Sequence, residues 1–253
     1  MTAITISIGS NIGLNKPKNR GKTIEGFGSA NLLDLYRRGL FPMADGRDDP
    51  RLLIIEPEKR GILPLDNFHI PSRLRRQVKQ NPFQIAANRA FRHVIEECAA
   101  QSEERCETWI NRPIIQLYDA LHRDGYAHSI EVWDDDLLVG GLYGVAIGGA
   151  FFGESMFSRK SNASKIALVH LVAGLISAGF QLLDAQFVNQ HLVQFGIIEI
   201  SKSEFQAKLK IAIKANCQFP AAQYAQIQSS NSAFPLSQGA HCLALIAQAR
   251  ALR

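Results

Sequence analysis

His128-Ser-Ile-Glu-Val-Trp133 alternates polar with apolar residues, Asp134-Asp-Asp136 supplies a turn, and Leu137-Leu-Val-Gly-Gly-Leu-Tyr-Gly-Val145 resumes as a glycine-bearing strand. A period of two puts one set of side chains on a core and the other set away from it, so the run reads as a β-hairpin. Ala150-Phe-Phe-Gly153 follows as a third strand and Ser158 to Asn162 as a loop. From about Ser164 to Gly179 the chain is apolar over too great a length for a strand, which predicts a buried helix closed by a left-handed glycine. Phe180 to Phe187 is short, apolar and bounded by polar residues, and predicts a buried strand. Ser203 with Gln206 three positions later predicts a capping box for a last core helix, whose basic face carries Lys208, Lys210 and Lys214. Meander strands, a helix and one further strand make an α+β domain with a mainly antiparallel sheet packed on helices.

Upstream, helical patterns run from Ala90 to Ala100 and from Pro113 to Arg123. Residues 1 to about 60 are rich in Gly, Pro and charge, and read as a small N-terminal domain. Its one amphipathic stretch, Asn31 to Arg38, is expected to start after Ser29 as the cap and to stop at Gly39, with Pro42 preventing continuation. Downstream of Pro220 the text is rich in Ala, Gln and Ser with little periodicity before Leu243 to Leu252, so a peripheral or disordered tail is expected. The expected division is 1–62, 63–216 and 217–253.

A chain of 253 residues with 46% hydrophobic content can bury a substantial core. The longest apolar run, Ile166 to Ile176, falls far short of the ~20 residues a bilayer span needs, and the N-terminus lacks the pattern of a secretory signal. The expected setting is the cytoplasm, with no membrane partner. Cys98, Cys106, Cys217 and Cys242 have no C-x-x-C rhythm, and the trio His93, Cys98 and Cys106 fits no metal signature, so no metal or other cofactor is expected. The net charge of +5 permits a polyanionic partner. Basic residues cluster at Arg73, Arg75, Arg76 and Lys79, and again at Lys16, Lys18, Arg20 and Lys22; either cluster can be a solvated face or a nucleic-acid contact.

Common chemistries fall away in turn. Gly140 to Gly149 contains no G-x-G-x-x-G window and does not open a helix; no phosphate-binding loop or HExxH is present, and Gly153-Glu-Ser-Met-Phe157 lacks the last glycine of a nucleophile elbow. What remains is local. Asp184 and Gln186 lie two apart in the expected strand, hence on one face, where the Gln amide NH2 can bind the carboxylate and leave its carbonyl oxygen as an oriented acceptor. Asp184 can equally satisfy backbone amides at a strand end. Glu154, at the lip of an apolar strand, can receive a cationic ligand group or pair with Lys160 or Lys165. Leu142, Met156, Leu183 and leucines of the following helix can line an apolar pocket or be plain core.

Taken together, several runs resemble one family, the leucyl/phenylalanyl-tRNA-protein transferases. They are YRRGLFPM at 36–43, RGILPLDNFHIPSRLRR at 60–76, TWI at 108–110, LHRDGYAHSIEVW at 121–133, LVGGLYGVAIGGAFFGESMFSRKSNASKIAL at 138–168 and LLDAQFVNQHLVQFG at 182–196. The resemblance implies a small N-terminal domain and an acetyltransferase-like (GNAT-like) α+β domain. It implies transfer of Leu or Phe from aminoacyl-tRNA to a protein beginning with Arg or Lys, which is thereby marked for N-end-rule proteolysis. Because a pocket separates apolar side chains of similar size only weakly, Met is expected as a further donor, and the expected state is a monomer. By motif position, Asp184 and Gln186 would form the relay at the attacking amine and Glu154 would pair with the acceptor's basic residue. Leu142, Met156, Leu171, Leu175 and Leu183 would enclose the donor side chain, Trp109 and Asn189 would contact the terminal adenosine or its ester, and the Arg73 to Lys79 cluster would meet tRNA phosphates. One departure is that Ile54 and Ile55 precede Glu56-Pro57 where many relatives carry aromatic rings able to stack on a base. Several pocket positions also read Leu where relatives carry Phe or Met, which leaves the preference between Leu and Phe open. Two other classes share these features: an acyl-CoA-dependent N-acyltransferase of the same fold, and a noncatalytic RNA-binding protein.

Overall fold

The computed structural model describes residues 2–7, 22–23, 27–100, 108–224 and 236–252. The hairpin is present as β7 (Ala127–Asp134) and β8 (Leu137–Ile147), with Asp135 at a positive φ of 51° in the turn. β9 (Ala150–Ser158) completes the antiparallel meander and is longer than its apolar core of four residues suggested. β6 (Gln84–Ala87) flanks β7, while β10 (Leu182–Asp184) runs parallel to β9. β5 (Lys59–Ile62) and β11 (Ile198–Ser201) close the far side, giving one seven-stranded sheet in the order β11-β5-β10-β9-β8-β7-β6. A second sheet of four strands, β2-β1-β4-β3, is made by β1 (Thr2–Ser7), β2 (Lys22–Thr23), β3 (Phe41–Met43) and β4 (Arg51–Glu56). The chain is therefore α+β with a mixed, mostly antiparallel sheet, as expected.

Alternation along the strands loads both faces of the large sheet with apolar side chains, so both must be covered. One face carries Tyr143, Val145 and Phe152 under α1 (Ser29–Arg37), α3 (Phe91–Ala99), α4 (Arg112–Arg123) and α7 (Lys202–Ala212). The other carries Val139, Leu142, Phe151 and Leu183 under α2 (Ser72–Gln80), α5 (Ala163–Ser177), α6 (Gln190–Val193) and α8 (Gly239–Ala251). α5 is buried along nearly its whole length, between the sheet on one side and α2 and α8 on others. It ends, as expected, at Gly179 with φ +77°.

Several expectations are corrected. The strand expected over 180–187 shrinks to three residues: Phe180 N–H bonds back to Leu175 O at the end of α5, and Gln186 takes a positive φ of 55° that no strand tolerates. The capping box lies two residues earlier than expected, because α7 starts at Lys202: Ser201 Oγ accepts the Glu204 N–H and Glu204 Oε2 accepts the Ser201 N–H. Ser29 is already helical; Asn31 reaches back to the Gly28 N–H instead. The expected boundary at 62 falls on a strand of the large sheet, and Leu32, Tyr36, Phe41 and Ile54 share one apolar core with Tyr118 and Phe152. The expected peripheral tail is incorrect for 219–224 and 236–252, since Tyr224, Leu236, Cys242 and Ile246 are buried against α5 and α2. Its alternation of Ala, Cys and Leu gives α8 no strong polarity, which hid its one buried stripe.

Among the described residues, Cys217 and Cys242 are free thiols, Cys98 is buried in the core, and no group of three or more His, Cys, Asp or Glu is placed to share a metal ion. Cys106 and the basic residues Lys16, Lys18 and Arg20 lie outside the described residues. Among them too, no helix is long and apolar enough to cross a membrane.

Candidate active site

β9 and β10 pair only from Ala150 to Phe152, after which the two chains separate. The site forms in that gap. Its first anchor is Arg60 on β5, which donates Nε and Nη2 to the two oxygens of Asp184 at 2.8 and 2.7 Å, and Nη1 to Gly39 O at 2.8 Å. The guanidinium lies over the rings of Phe41 and Phe205, 4.7 and 4.4 Å from their centroids. Arg60 and Asp184 are 2% and 0% exposed, so each neutralises a charge that would otherwise be stranded; losing one partner of such a pair costs ~3–5 kcal/mol.

Asp184 Oδ1 also accepts the main-chain N–H of Gln186 at 3.0 Å, and Gly61 N–H donates to Gln186 O at 3.0 Å. These two bonds hold Gln186 in its left-handed conformation. Its side-chain NH2 donates to Glu154 Oε1 at 3.2 Å and not to Asp184, which corrects the expected pairing. Gln186 and Asp184 do meet at one place, but through the main chain, because the chain turns out of the strand after Asp184.

Glu154 is the extra residue of a β-bulge: Tyr143 pairs with Ser155 and Gly144 with Gly153, leaving Glu154 without an opposite number. Gly144 is required there, since a Cβ would lie 2.3 Å from Phe152 O and 2.5 Å from the Phe151 ring. The Glu154 carboxylate accepts from Tyr36 Oη at 2.7 Å and from Tyr118 Oη at 2.8 Å, and the two hydroxyls also touch each other. Burial pushes the Glu154 carboxyl up to about 7; the tyrosine hydroxyls oppose that rise, the Asp184 charge adds to it and the Arg60 charge subtracts. Burial likewise raises the Tyr36 and Tyr118 hydroxyls well above their ordinary value. The alternative lysine pairing of Glu154 does not form: Lys160 binds Asp134, and Lys165 lies instead beside Arg73 in a separate cleft.

On the other face of the gap a cavity of about 220 Å³ opens, lined by Leu63, Leu142, Met156, Leu168, Leu171 and Leu183 and reaching Glu154, Asp184 and Gln186. An apolar cavity of roughly 150 Å³ takes up benzene, so this one has room for an isobutyl group or a phenyl ring. Leu142, Met156, Leu171 and Leu183 thus line it as expected, and Asn189 stands at its edge while capping α6 through the Leu192 N–H. Leu175 does not: it is fully buried core one turn further along α5. Trp109 is also outside the cavity lining; it precedes α4, packs against the α1/α3/α4 core and offers its carbonyl to Ala44 N–H. Ile54 and Ile55 are buried in that same core. Arg73, Arg75, Arg76 and Lys79 stand on the exposed face of α2, and among the described residues none is paired with a carboxylate. Sequence reading missed Arg60, Tyr36 and Tyr118. The signal available was that a buried Asp184 needs a cation, and that Arg60 and Tyr36 open two of the runs quoted above.

The family model for leucyl/phenylalanyl-tRNA protein transferase matches residues 62–210. Among curated proteins bearing that name, the one from Hyphomonas neptunium is 62% identical over 193 residues, covering 76% of this chain and 75% of its own length. That from Phenylobacterium zucineum is 54% identical over 219 residues, covering 87% and 96%, and that from Caulobacter vibrioides is 55% identical over 183 residues, covering 72% and 84%.

Proposed function

The chain belongs to the leucyl/phenylalanyl-tRNA-protein transferase family, and on that premise we propose how its site moves an amino acid from tRNA to a protein N-terminus. The leucine-lined cavity takes the donor's Leu, Phe or Met side chain, which brings the ester carbonyl to the gap between β9 and β10. The acceptor's free α-amine enters from the Glu154 side. The observation that carries this reading is the juxtaposition of a cavity of about 220 Å³ with Gln186 and Glu154 at one break in the sheet.

In the reaction the amine nitrogen bonds to the ester carbonyl carbon, the bond from that carbon to the ribose oxygen breaks, and one proton passes from nitrogen to the leaving ribose oxygen. The ester is already activated, so holding the two reactants together contributes most; well-oriented pairs gain ~7–11 kcal/mol. With its NH2 committed to Glu154, the Gln186 carbonyl oxygen is the acceptor that orients the amine N–H. An α-amine has a pKa near ~8, so a usable neutral fraction exists without a strong base. Asp184, saturated by Arg60 and the Gln186 N–H, acts as a positioning residue that holds Gln186 in place. Glu154 receives the side chain of an N-terminal Arg or Lys. The split between β9 and β10 supports an acetyltransferase-like arrangement, with the enzyme acting as a cytoplasmic monomer on proteins destined for proteolysis.

The test is transfer from Leu-tRNA to peptides beginning with Arg or with Met. The wild-type chain should modify the Arg peptide preferentially, and Gln186→Ala should lower kcat by ~10²-fold, the lower end of what proton-handling groups contribute. Equal turnover by the folded Gln186→Ala variant would refute the role given to Gln186, and absence of transfer by the wild type would refute the reading as a whole.

A further inference from the structure

We propose that the segment after Cys217 sets the size of the donor cavity, through Tyr224, and so acts as a specificity determinant; this rests on the donor-pocket reading above. α5 presents Leu168 and Leu171 to the cavity. The residue between Val169 and Leu171 is gripped twice from outside: Tyr224 Oη donates to His170 O at 2.8 Å, and His170 Nδ1 meets Leu236 O at 2.7 Å. The His170 carbonyl and the Leu171 N–H belong to one planar peptide group, so holding one fixes the other. One turn on, Gly174 touches the same hydroxyl: a Cβ there would lie 2.1 Å from Tyr224 Oη. The helix has no slack at this contact.

Tyr224 is itself wedged. Its ring stacks on Phe219 at 6.3 Å, and Phe219 stacks in turn on Phe151 of β9 at 5.8 Å and on His128 of β7 at 4.2 Å. A ladder of rings therefore ties the tail to the sheet, and Tyr224 Oη at its end fixes how far α5 stands from β8 and β9. That spacing is one dimension of the cavity. The segment lies beyond residue 210, where the family model ends, so it adds to the cavity from outside the matched region.

The readout is the ratio of kcat/KM for Phe-tRNA to that for Leu-tRNA, with an Arg-starting peptide as acceptor. Gly174→Ala forces α5 and Tyr224 apart, and the ratio should change about tenfold, the scale on which pockets separate side chains of different size. Tyr224→Phe alone frees the His170 carbonyl and removes the hydroxyl that abuts Gly174, and the ratio should shift measurably from wild type. In the double variant the added methyl faces a ring carbon at 3.1 Å in place of the hydroxyl, and the ratio should return toward wild type. A purely structural role would lower thermal stability while leaving the ratio unmoved in every folded variant, and that result overturns the proposal. If Gly174→Ala does not fold, an unchanged ratio in Tyr224→Phe is sufficient to overturn it. A wild-type chain that transfers neither donor removes the pocket reading and this proposal together.

Discussion

Glu154 keeps its proton to about pH 7 because protein surrounds it on most sides, while an exposed glutamate would give it up near 4.5. The folded chain therefore binds that proton more tightly than the unfolded chain does. The stability it contributes is fully present below 4.5 and is lost as pH rises through about 7, ~3 kcal/mol at most. Relative to wild type, Glu154→Gln should gain stability as pH rises from 5 to 8, measured by urea unfolding. Binding of an Arg-starting peptide should strengthen over the same window in wild type alone, since a cation favours the charged carboxylate. Parallel pH profiles for the two proteins would remove Glu154 from both roles. At this scale the sequence was legible for residue types and poor for partners. Asp184, Gln186 and Glu154 do converge, yet the cation that stabilises Asp184 lies 124 residues away at Arg60, a separation no local spacing reveals. The amide two residues along was the nearest donor in sequence, and the turn after Asp184 sends it elsewhere.

Elements with a strong period were readable: the hairpin, α3, α4 and α5 all lie within a few residues of expectation. What periodicity could not show is the bulge at Glu154, because one extra residue leaves both flanking runs looking like ordinary strand. The only trace is Gly144, whose need follows from the 2.3 Å approach of Phe152 O to the position a Cβ would take. Gly144→Ala must either push β9 off β8 or flatten the bulge. Overpacking of this kind costs ~1–3 kcal/mol, and backbone as the obstacle puts this case at the upper end. Because flattening rotates Glu154 away from Tyr36 and Tyr118, the folded fraction should also lose preference for Arg-starting over Met-starting peptides. An Ala variant with unchanged melting temperature and unchanged preference would show that the bulge does not hold Glu154. The short β10 teaches the converse: eight apolar-looking residues form three of strand, since main-chain bonds to Gly61 and Asp184 outweigh strand propensity.

Across the whole molecule the two faces of the sheet divide the work, with ionisable groups under α1 and α4 and the apolar cavity under α5. The exposed cations of α2 stand on the cavity side, where Leu74 and Val78 seat that helix in the same core as the cavity leucines. A tRNA whose aminoacyl end enters the cavity would run its phosphates past this surface. Arg73, Arg75, Arg76 and Lys79 are exposed and, among the described residues, unpaired with carboxylates, so removing them disturbs little in the fold; surface changes of this kind stay within ~0.5 kcal/mol. Each phosphate contact releases counterions and adds ~0.7–0.9 to the slope of log affinity against log salt. If all four make contact, replacing them with Ala should flatten the slope for Leu-tRNA by about 3 and weaken binding most at low salt. Turnover at saturating Leu-tRNA should be preserved, because none of the four reaches the cavity. A filter-binding series from 50 to 300 mM salt distinguishes the outcomes: an unchanged slope in the quadruple variant would make α2 a solvated face and leave the net charge of +5 to act elsewhere.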